Sequence, residues 1–396
     1  MKKLIAIFFA AICLCVSTAA QDNETGLPPD AFERLKGAVG LVDQGMPEAA
    51  MTDFDALFKE YPDNYIVQYE RLYALYAMEK YEDVAAGAKK LVKHKEASPI
   101  VFQMYGNVLD ILGKPDEAIR VYRKGISRFP DAASLYLEIG NVYVSQEKYN
   151  DALASFNKGI DLQPAFSSNY YRAAQLYFGS DNAKVWGLVY AEAAILLAPD
   201  NSGRHADMGA AIRDCFVKNI SIGHADGKTE AKVTLAKNRG ILMEQSDECI
   251  IEFPGVYEAC TLGAVTKMAV GGEEFTGSIR QLAELRKGIV EAYFSAGQNY
   301  FGNAMYLLPF QKKIIDAGHW EAYNYFIFGE AFDDEFDAWY ADNSAKFDDF
   351  VDWYNKAPFN PDQSHTIGAD NIYRDCKRLS TMDGLIFQAT LMDLSK

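Results

Sequence analysis

Chemistry at a protein site needs side chains that carry a proton, a nucleophile or a metal, at spacings that bring them together. Five histidines are available, His94, His205, His224, His319 and His365. No two stand at i, i+4, and no His-Glu-x-x-His stretch occurs, so the spacing offers no helical metal site. His205 falls where a packing residue is needed and reads as a core histidine. There is no Gly-x-Ser-x-Gly elbow and no phosphate loop, and Gly271-Gly272 reads as a breaker rather than a nucleotide cradle. Asp333-Asp334-Glu335 with Asp337 supplies oxygens for a hard cation, but lacks the Asp-x-Asn/Asp-x-Asp-Gly order of a calcium loop. It reads instead as a solvated helix start, where carboxylates complement the dipole. Asp342-Asn343 before Phe347 reads as a second cap. The expectation is a protein without enzymatic activity, cofactor or metal.

Two lysines, Lys2 and Lys3, precede an apolar run from Leu4 to Val16, and Thr18-Ala19-Ala20 offers small residues at a cut. This is the pattern of a cleavable export signal, with cleavage expected before Gln21. The run is too short to span a bilayer in the mature protein. The residues ahead of Cys13 and Cys15 do not fit the Leu-small-small-Cys pattern of lipid attachment. A location in the periplasm or outside the cell follows, with no membrane insertion after cleavage. Four cysteines remain, Cys215, Cys249, Cys260 and Cys376, too sparse for a disulfide scaffold and without the CxxC spacing of a redox or zinc site. They are expected as free buried thiols, Cys249 on a helix.

The 396 residues are 49% hydrophobic and 24% charged, the balance of a folded chain. Formal net charge is −16, and loss of the two leader lysines takes it to −18. Nucleic acid requires a basic surface to displace counterions, and anionic membranes would repel this chain. A neutral or basic protein partner fits the charge better.

What must position any binding residues is a repeat. From Pro99, the residues Phe102, Tyr105-Gly106-Asn107, Leu109, Ala118, Tyr122, Gly125 and Pro130 reappear 34 positions later as Tyr136, Ile139-Gly140-Asn141, Tyr143, Ala152, Phe156, Gly159 and Pro164. Phe102, Tyr105, Leu109 and Leu112 share one helix face, and Ala118, Val121, Tyr122, Gly125, Ile126 and Phe129 share another. Gly113-Lys114-Pro115-Asp116 is the turn between them. Gly106 and Ala118 are small where the two helices approach, and Pro130 ends the second helix. A lone hairpin cannot bury its apolar face, so neighbours must stack.

In spacing and residue type this resembles the tetratricopeptide repeat. Weaker copies start near residue 31 (Ala50, Phe54, Leu57, Pro62), at 65–98 (Leu75, Val84, Ala88, Leu91), and at Ala174-Tyr177, the last closing one residue late with Gly187, Ala191, Ala194 and Pro199. A sixth begins at Met208-Gly209 and Ile212, its second helix displaced past an insertion to end at Cys249 and Pro254, and a seventh begins at Leu262-Gly263. The resemblance implies an all-α fold, an α–α superhelical solenoid of such hairpins with a degenerate helical C-terminal region. The expected organisation is a leader at 1–20, a disordered segment at 21–30, about five repeats at 31–201, degenerate repeats at 202–270, and a helical, aromatic-rich region at 271–396. The insertion at 219–235 alternates (Ile220, Ile222; Val233, Leu235) around Gly223-His224-Ala225-Asp226-Gly227, and reads as a β-hairpin or as a loop leading into a helix.

The resemblance also implies that the first helix of each hairpin lines a groove for a protein or peptide. The corresponding residues are Tyr69, Tyr73 and Tyr76, then Gln103, Asn107 and Asp110, then Leu137, Asn141 and Val144, then Tyr171, Arg172 and Gln175. Relatives that clamp a terminal carboxylate place lysines where this chain has Ile100, Gln103, Ser134 and Leu137, so acidic C-terminal tails are not the expected ligand of that groove. The tyrosines favour an apolar segment or helix. An exported scaffold or adaptor in a bacterial envelope is the leading reading. The alternative is a carbohydrate- or small-ligand-binding protein that uses Trp320, Trp339 and Trp353 as stacking surfaces.

Overall fold

The computed structural model describes residues 25–181, 183–225, 228–236, 241–243, 248–270, 274–296, 306–362 and 379–380. The leader and its cut before Gln21, Gly271-Gly272, His365 and Cys376 lie outside the described residues. The chain divides into two compact units, the first ending at Lys148 and the second starting at Tyr149.

Among the described residues the first unit has seven helices: α1 (Pro29–Asp43), α2 (Pro47–Glu60), α3 (Tyr65–Ala77), α4 (Tyr81–Leu91), α5 (Pro99–Ile111), α6 (Pro115–Arg128) and α7 (Ala133–Ser145). Proline opens α1, α2, α5 and α6 in the first turn, where its missing N–H would have no partner anyway. Asn64 opens α3, its Oδ1 accepting from the Val67 amide at 3.0 Å. Each helix packs on the next, and the first helices also touch each other, α1 with α3 and α5 with α7. Two layers result, first helices in one and second helices in the other. Residues 25–30 correct the expectation of a disordered segment. Leu27 is buried, and the Asn64 Nδ2 donates to the Thr25 carbonyl at 2.7 Å.

The repeat is written into the backbone as well as the side chains. Gly45, Glu79, Gly113 and Glu147 follow one another at intervals of 34 residues, and all four have positive φ, between 58° and 77°. Each is the left-handed residue that ends a first helix. Its amide bonds back three residues and the next amide bonds back five, as in Gly113 to Asp110 and Lys114 to Leu109 at 2.9 and 2.8 Å. Two repeats fill the position with glycine and two with glutamate, which carries a Cβ into a conformation that disfavours one.

Packing follows the same interval. Ala50, Val84 and Ala118 are fully buried on the second helices, and so, one turn later, are Phe54, Ala88 and Tyr122. Gly106 is glycine for a specific reason: a Cβ there would stand 2.1 Å from the Tyr122 ring, which is buried and cannot retreat.

In the second unit the described helices are α8 (Tyr149–Leu162), α9 (Ser167–Phe178), α10 (Lys184–Leu197), α11 (Ser202–Asn219), α12 (Phe253–Val270), α13 (Ile279–Ala296), α14 (Leu307–Asp316), α15 (Trp320–Gly329) and α16 (Asp333–Lys356). Helix α10 packs on α9, α11 and α12 and is buried from Val185 to Leu196. A helix covered all round has no apolar stripe to read. Trp186 and Tyr190 keep the 34-residue register of Ala152 and Phe156, and the set one position later, Gly187, Ala191 and Ala194, is buried as well. The hairpin β1 (Ile220–Ala225) and β2 (Lys228–Val233) is antiparallel, with Ile220 opposite Val233.

Three further sequence expectations are corrected. Residues 241–251 are not a displaced second helix: β3 (Ile241–Met243) and β4 (Glu248–Ile251) pair antiparallel, and Cys249 is on a strand. β5 (Leu379–Ser380) adds to β4, so the region after 271 is not wholly helical. Leu262-Gly263 starts no repeat but lies inside α12, whose apolar residues are spread over every side and give no start signal.

A buried polar network joins four helices of this unit. The Glu192 carboxylate of α10 accepts from Arg286 on α13, from Gln311 on α14 at 2.6 Å, and from Tyr323 on α15. Arg286 also donates to Asn324, and its guanidinium lies 5.4–5.5 Å from the rings of Trp320, Tyr323 and Phe328. Burial by itself would weaken the guanidinium's hold on its proton, but the adjacent Glu192 carboxylate reverses that and raises it.

Candidate functional site

The first-helix layer of the first unit carries nine of the twelve groove residues: three each on α3, α5 and α7. On α3, Tyr69 and Tyr76 are buried at 4% and 8% exposure and belong to the core with Leu72, Val101 and Phe102, while Tyr73 is half-buried against it. On α5, Gln103, Asn107 and Asp110 are all half-buried. On α7, Leu137 is fully buried, and Asn141 and Val144 are half-buried. The tyrosine ladder is thus mainly core, and only Tyr73 of it has surface to offer.

The half-buried polar residues are held by a group that the sequence reading passed over. Glu138 is buried on α7, and its carboxylate accepts from Gln103 Nε2 at 2.7 Å and from Asn141 Nδ2 at 3.1 Å. It therefore fixes two groove side chains from adjacent hairpins. The usable signal was a glutamate on the inner side of an apolar helix, in Leu137-Glu138-Ile139. Asn107 is fixed from behind by Tyr122, whose hydroxyl donates to Oδ1 at 2.5 Å. Its Nδ2 donates to no other described residue. Asp110, one turn further along α5, forms no ion pair with a described residue, and burial raises its carboxyl above the ordinary range. Asn107 and Asp110 together present an unused amide donor and an unused carboxylate on one face.

Two repeats back from Glu138 stands Glu70, also buried, on α3. Its Oε1 has no hydrogen-bond partner among the described residues. Burial, with a smaller contribution from Asp43, pushes its carboxyl up to about 8.

In the second unit the remaining three residues are on α9. Tyr171 is buried and committed: its hydroxyl donates to Asp207 Oδ2 at 2.9 Å, and the Arg204 guanidinium lies 5.0 Å over its ring. Burial first, and then the Asp207 carboxylate, push the phenol up to about 12. Arg172 Nη1 donates to Gln175 Oε1 at 2.8 Å, and Gln175 is exposed. His205 is a core histidine, its Nε2 within 2.9 Å of the Phe326 carbonyl. Cys215 and Cys260 are free and buried, their thiols pushed up to about 12 chiefly by burial.

Of the three tryptophans of the alternative reading one is buried, and Trp339 and Trp353 are half-buried against neighbouring rings. Trp320 is buried at 7% exposure, and its indole N–H donates to the Ala283 carbonyl at 2.8 Å. Trp339 lies flat on Tyr325, ring centres 4.1 Å apart, and Trp353 is against Phe310 and His319. Asp333-Asp334-Glu335 does open a helix, α16, with Asp333 and Asp334 exposed. Asn343 has non-helical φ of −130° inside that helix and marks a kink there. Among the described residues no group of histidine, cysteine and carboxylate side chains is placed to hold a metal, and no helix is long and apolar enough to cross a membrane.

Residues 106–180 match the family model of the tetratricopeptide repeat. With the 34-residue hairpins beside that span, the chain carries an array of tetratricopeptide repeats. No curated protein matches it. Solved structures with similar folds include TTC0263, a thermophilic TPR protein of Thermus thermophilus (20% identity, 46% of this chain and 98% of that one, TM-score 0.40). Others are PilW, a type IV pilus biogenesis factor (14%, 47% and 87%, 0.38), and MamA of Desulfovibrio magneticus (17%, 44% and 99%, 0.35).

Proposed function

We propose that the protein is a binding scaffold, and that the first-helix face of its first unit takes a peptide or helix of a partner protein. The observation that carries this is the Asn107–Asp110 pair: a half-buried amide, fixed from behind by Tyr122, whose N–H donor is free among the described residues, and a half-buried carboxylate that no described residue pairs. A half-buried carboxylate without a donor is costly unless something supplies one. A peptide N–H, or a lysine or arginine side chain, would supply it, while Asn107 would donate to a peptide carbonyl. Tyr73 and Val144 add apolar surface on the helices either side. Ligand preference should therefore run to neutral or basic segments, in keeping with the net charge of −16.

The leader pattern of Lys2, Lys3, Leu4–Val16 and Thr18-Ala19-Ala20 supports export, and with it a partner in the cell envelope or outside the cell. N-terminal sequencing of the mature protein should start at Gln21. The function itself is tested by placing a photo-crosslinking amino acid at Val144 in the cell of origin. One discrete adduct is expected, lost on Asp110→Lys. An adduct that survives Asp110→Lys, or none at Val144 in a folded protein, rejects this face as the binding site.

A further inference from the structure

The second-helix layer of the first unit carries a feature that the first-helix face does not use. Between α4 and α6 a cavity of about 260 Å³ opens over the buried side chains of Phe102 and Leu109, with Val121 on its wall. Lys89, Lys93, Arg120 and Lys124 stand around it, all exposed. None of these four makes a side-chain hydrogen bond or ion pair with another described residue. The single carboxylate on the rim is Glu117.

This grouping is not a property of the repeat. Moved 34 residues back, the four cations become Asp55, Lys59, Ala86 and Lys90; moved 34 forward, they become Arg123, Ser127, Ala154 and Lys158. All four coincide only here. The floor changes too: Leu109 is followed at the same repeat position by Tyr143, whose hydroxyl already accepts from Arg123 at 3.1 Å. A tight cluster of unpaired positive charge over an apolar hollow runs against a chain of net charge −16. Such a cluster costs self-repulsion and is relieved by an anionic partner.

We infer that this cavity is a second docking site, for an acidic segment of a partner protein that seats one large apolar side chain in the hollow and sets carboxylates on the four cations. The size selects this occupant. Pockets that enclose free small ligands run to about 300–1,000 Å³, whereas a single anchoring side chain needs less. An apolar anchor ringed by polar contacts is the usual anatomy of a binding hot spot. The four cations lie on α4, just past its end and on α6, and Asn107 and Asp110 of α5 do not line the cavity, so the two sites are separable by mutation.

The test is fluorescence anisotropy of the full chain with a short labelled synthetic peptide, rich in aspartate and glutamate around one tryptophan. Binding is expected, weakening with added salt. Lys93→Glu with Arg120→Glu should lower affinity by at least about tenfold. Val121→Trp, which fills the hollow, should do the same, and Val121→Met serves if the larger ring unfolds the protein. A peptide with alanine in place of its tryptophan should also bind at least about tenfold more weakly. Asp110→Lys, which should abolish the Val144 adduct, should leave binding of this acidic peptide within about twofold, which separates this site from the first-helix face. The inference is overturned if the acidic peptide does not bind or if a lysine-for-glutamate version binds equally. It is also overturned if charge reversal weakens binding while filling the hollow does not, or if only an oligonucleotide or phosphatidylglycerol vesicles bind at these residues.

Discussion

Replacing Glu192 by alanine should come close to unfolding the second unit. Its carboxylate is 6% exposed and the Arg286 side chain 3%. Removing it leaves a buried guanidinium whose other hydrogen bond is to Asn324, and strips their acceptor from Gln311 Nε2 and the Tyr323 hydroxyl. Breaking one side of a buried ion pair costs about 3–5 kcal/mol. Each stranded donor adds to that, at about 1–3 kcal/mol if it finds no water. Glu192→Ala should therefore sit at or above about 5 kcal/mol, the lower end of a typical domain's whole stability. Arg286→Met should cost less, about 3 kcal/mol, because Gln311 and Tyr323 still serve the carboxylate. The double variant Glu192→Leu, Arg286→Met removes both charges and should be milder than Glu192→Ala alone. Urea unfolding followed by tryptophan fluorescence is the assay. All four tryptophans, Trp186, Trp320, Trp339 and Trp353, are in the second unit, so the signal reports that unit alone. A cost below about 1 kcal/mol for Glu192→Ala, or a double variant at least as costly as Glu192→Ala alone, would refute the reasoning.

Two further outcomes follow from the first unit. The folded chain keeps the Glu70 proton up to about 8, against an ordinary value of 4.5, so the stability this carboxyl contributes is complete below about 4.5 and is lost as pH rises towards 8. Glu70→Gln should then protect the amides of residues 65–77 against hydrogen exchange more than the native glutamate does at pH 8, and no more at pH 4; equal protection at pH 8 would show that the buried carboxyl carries no penalty. Glu79 has φ of 58° where two sister repeats place glycine. Glu79→Gly should raise the melting temperature, with a gain of about 0.5–1 kcal/mol after the entropy of the added glycine is subtracted; a lower melting temperature would place the strain elsewhere.

The sequence by itself determined the parts of this protein whose contacts are local. Phe54, Ala88, Tyr122, Phe156 and Tyr190 recur every 34 residues and are all buried. A repeat stack needs each hairpin to satisfy only its neighbours, so one spacing in the chain becomes one spacing in the fold. The same logic led to Asn107 and Asp110, which are half-buried on α5. It overreached with Tyr69 and Tyr76: the type and interval suited a groove, and whether a tyrosine lines a surface or fills a core depends on how closely the next helix approaches. Tertiary structure alone decided the rest. Glu138 joins Gln103 to Asn141 only because α5 and α7 lie side by side. Glu192 meets Arg286 and Gln311 across 94 and 119 residues, and β4 meets β5 across a gap longer still. No period links such positions, because each pairing is set once, by the packing of a whole unit, and leaves no trace in the spacing of the chain.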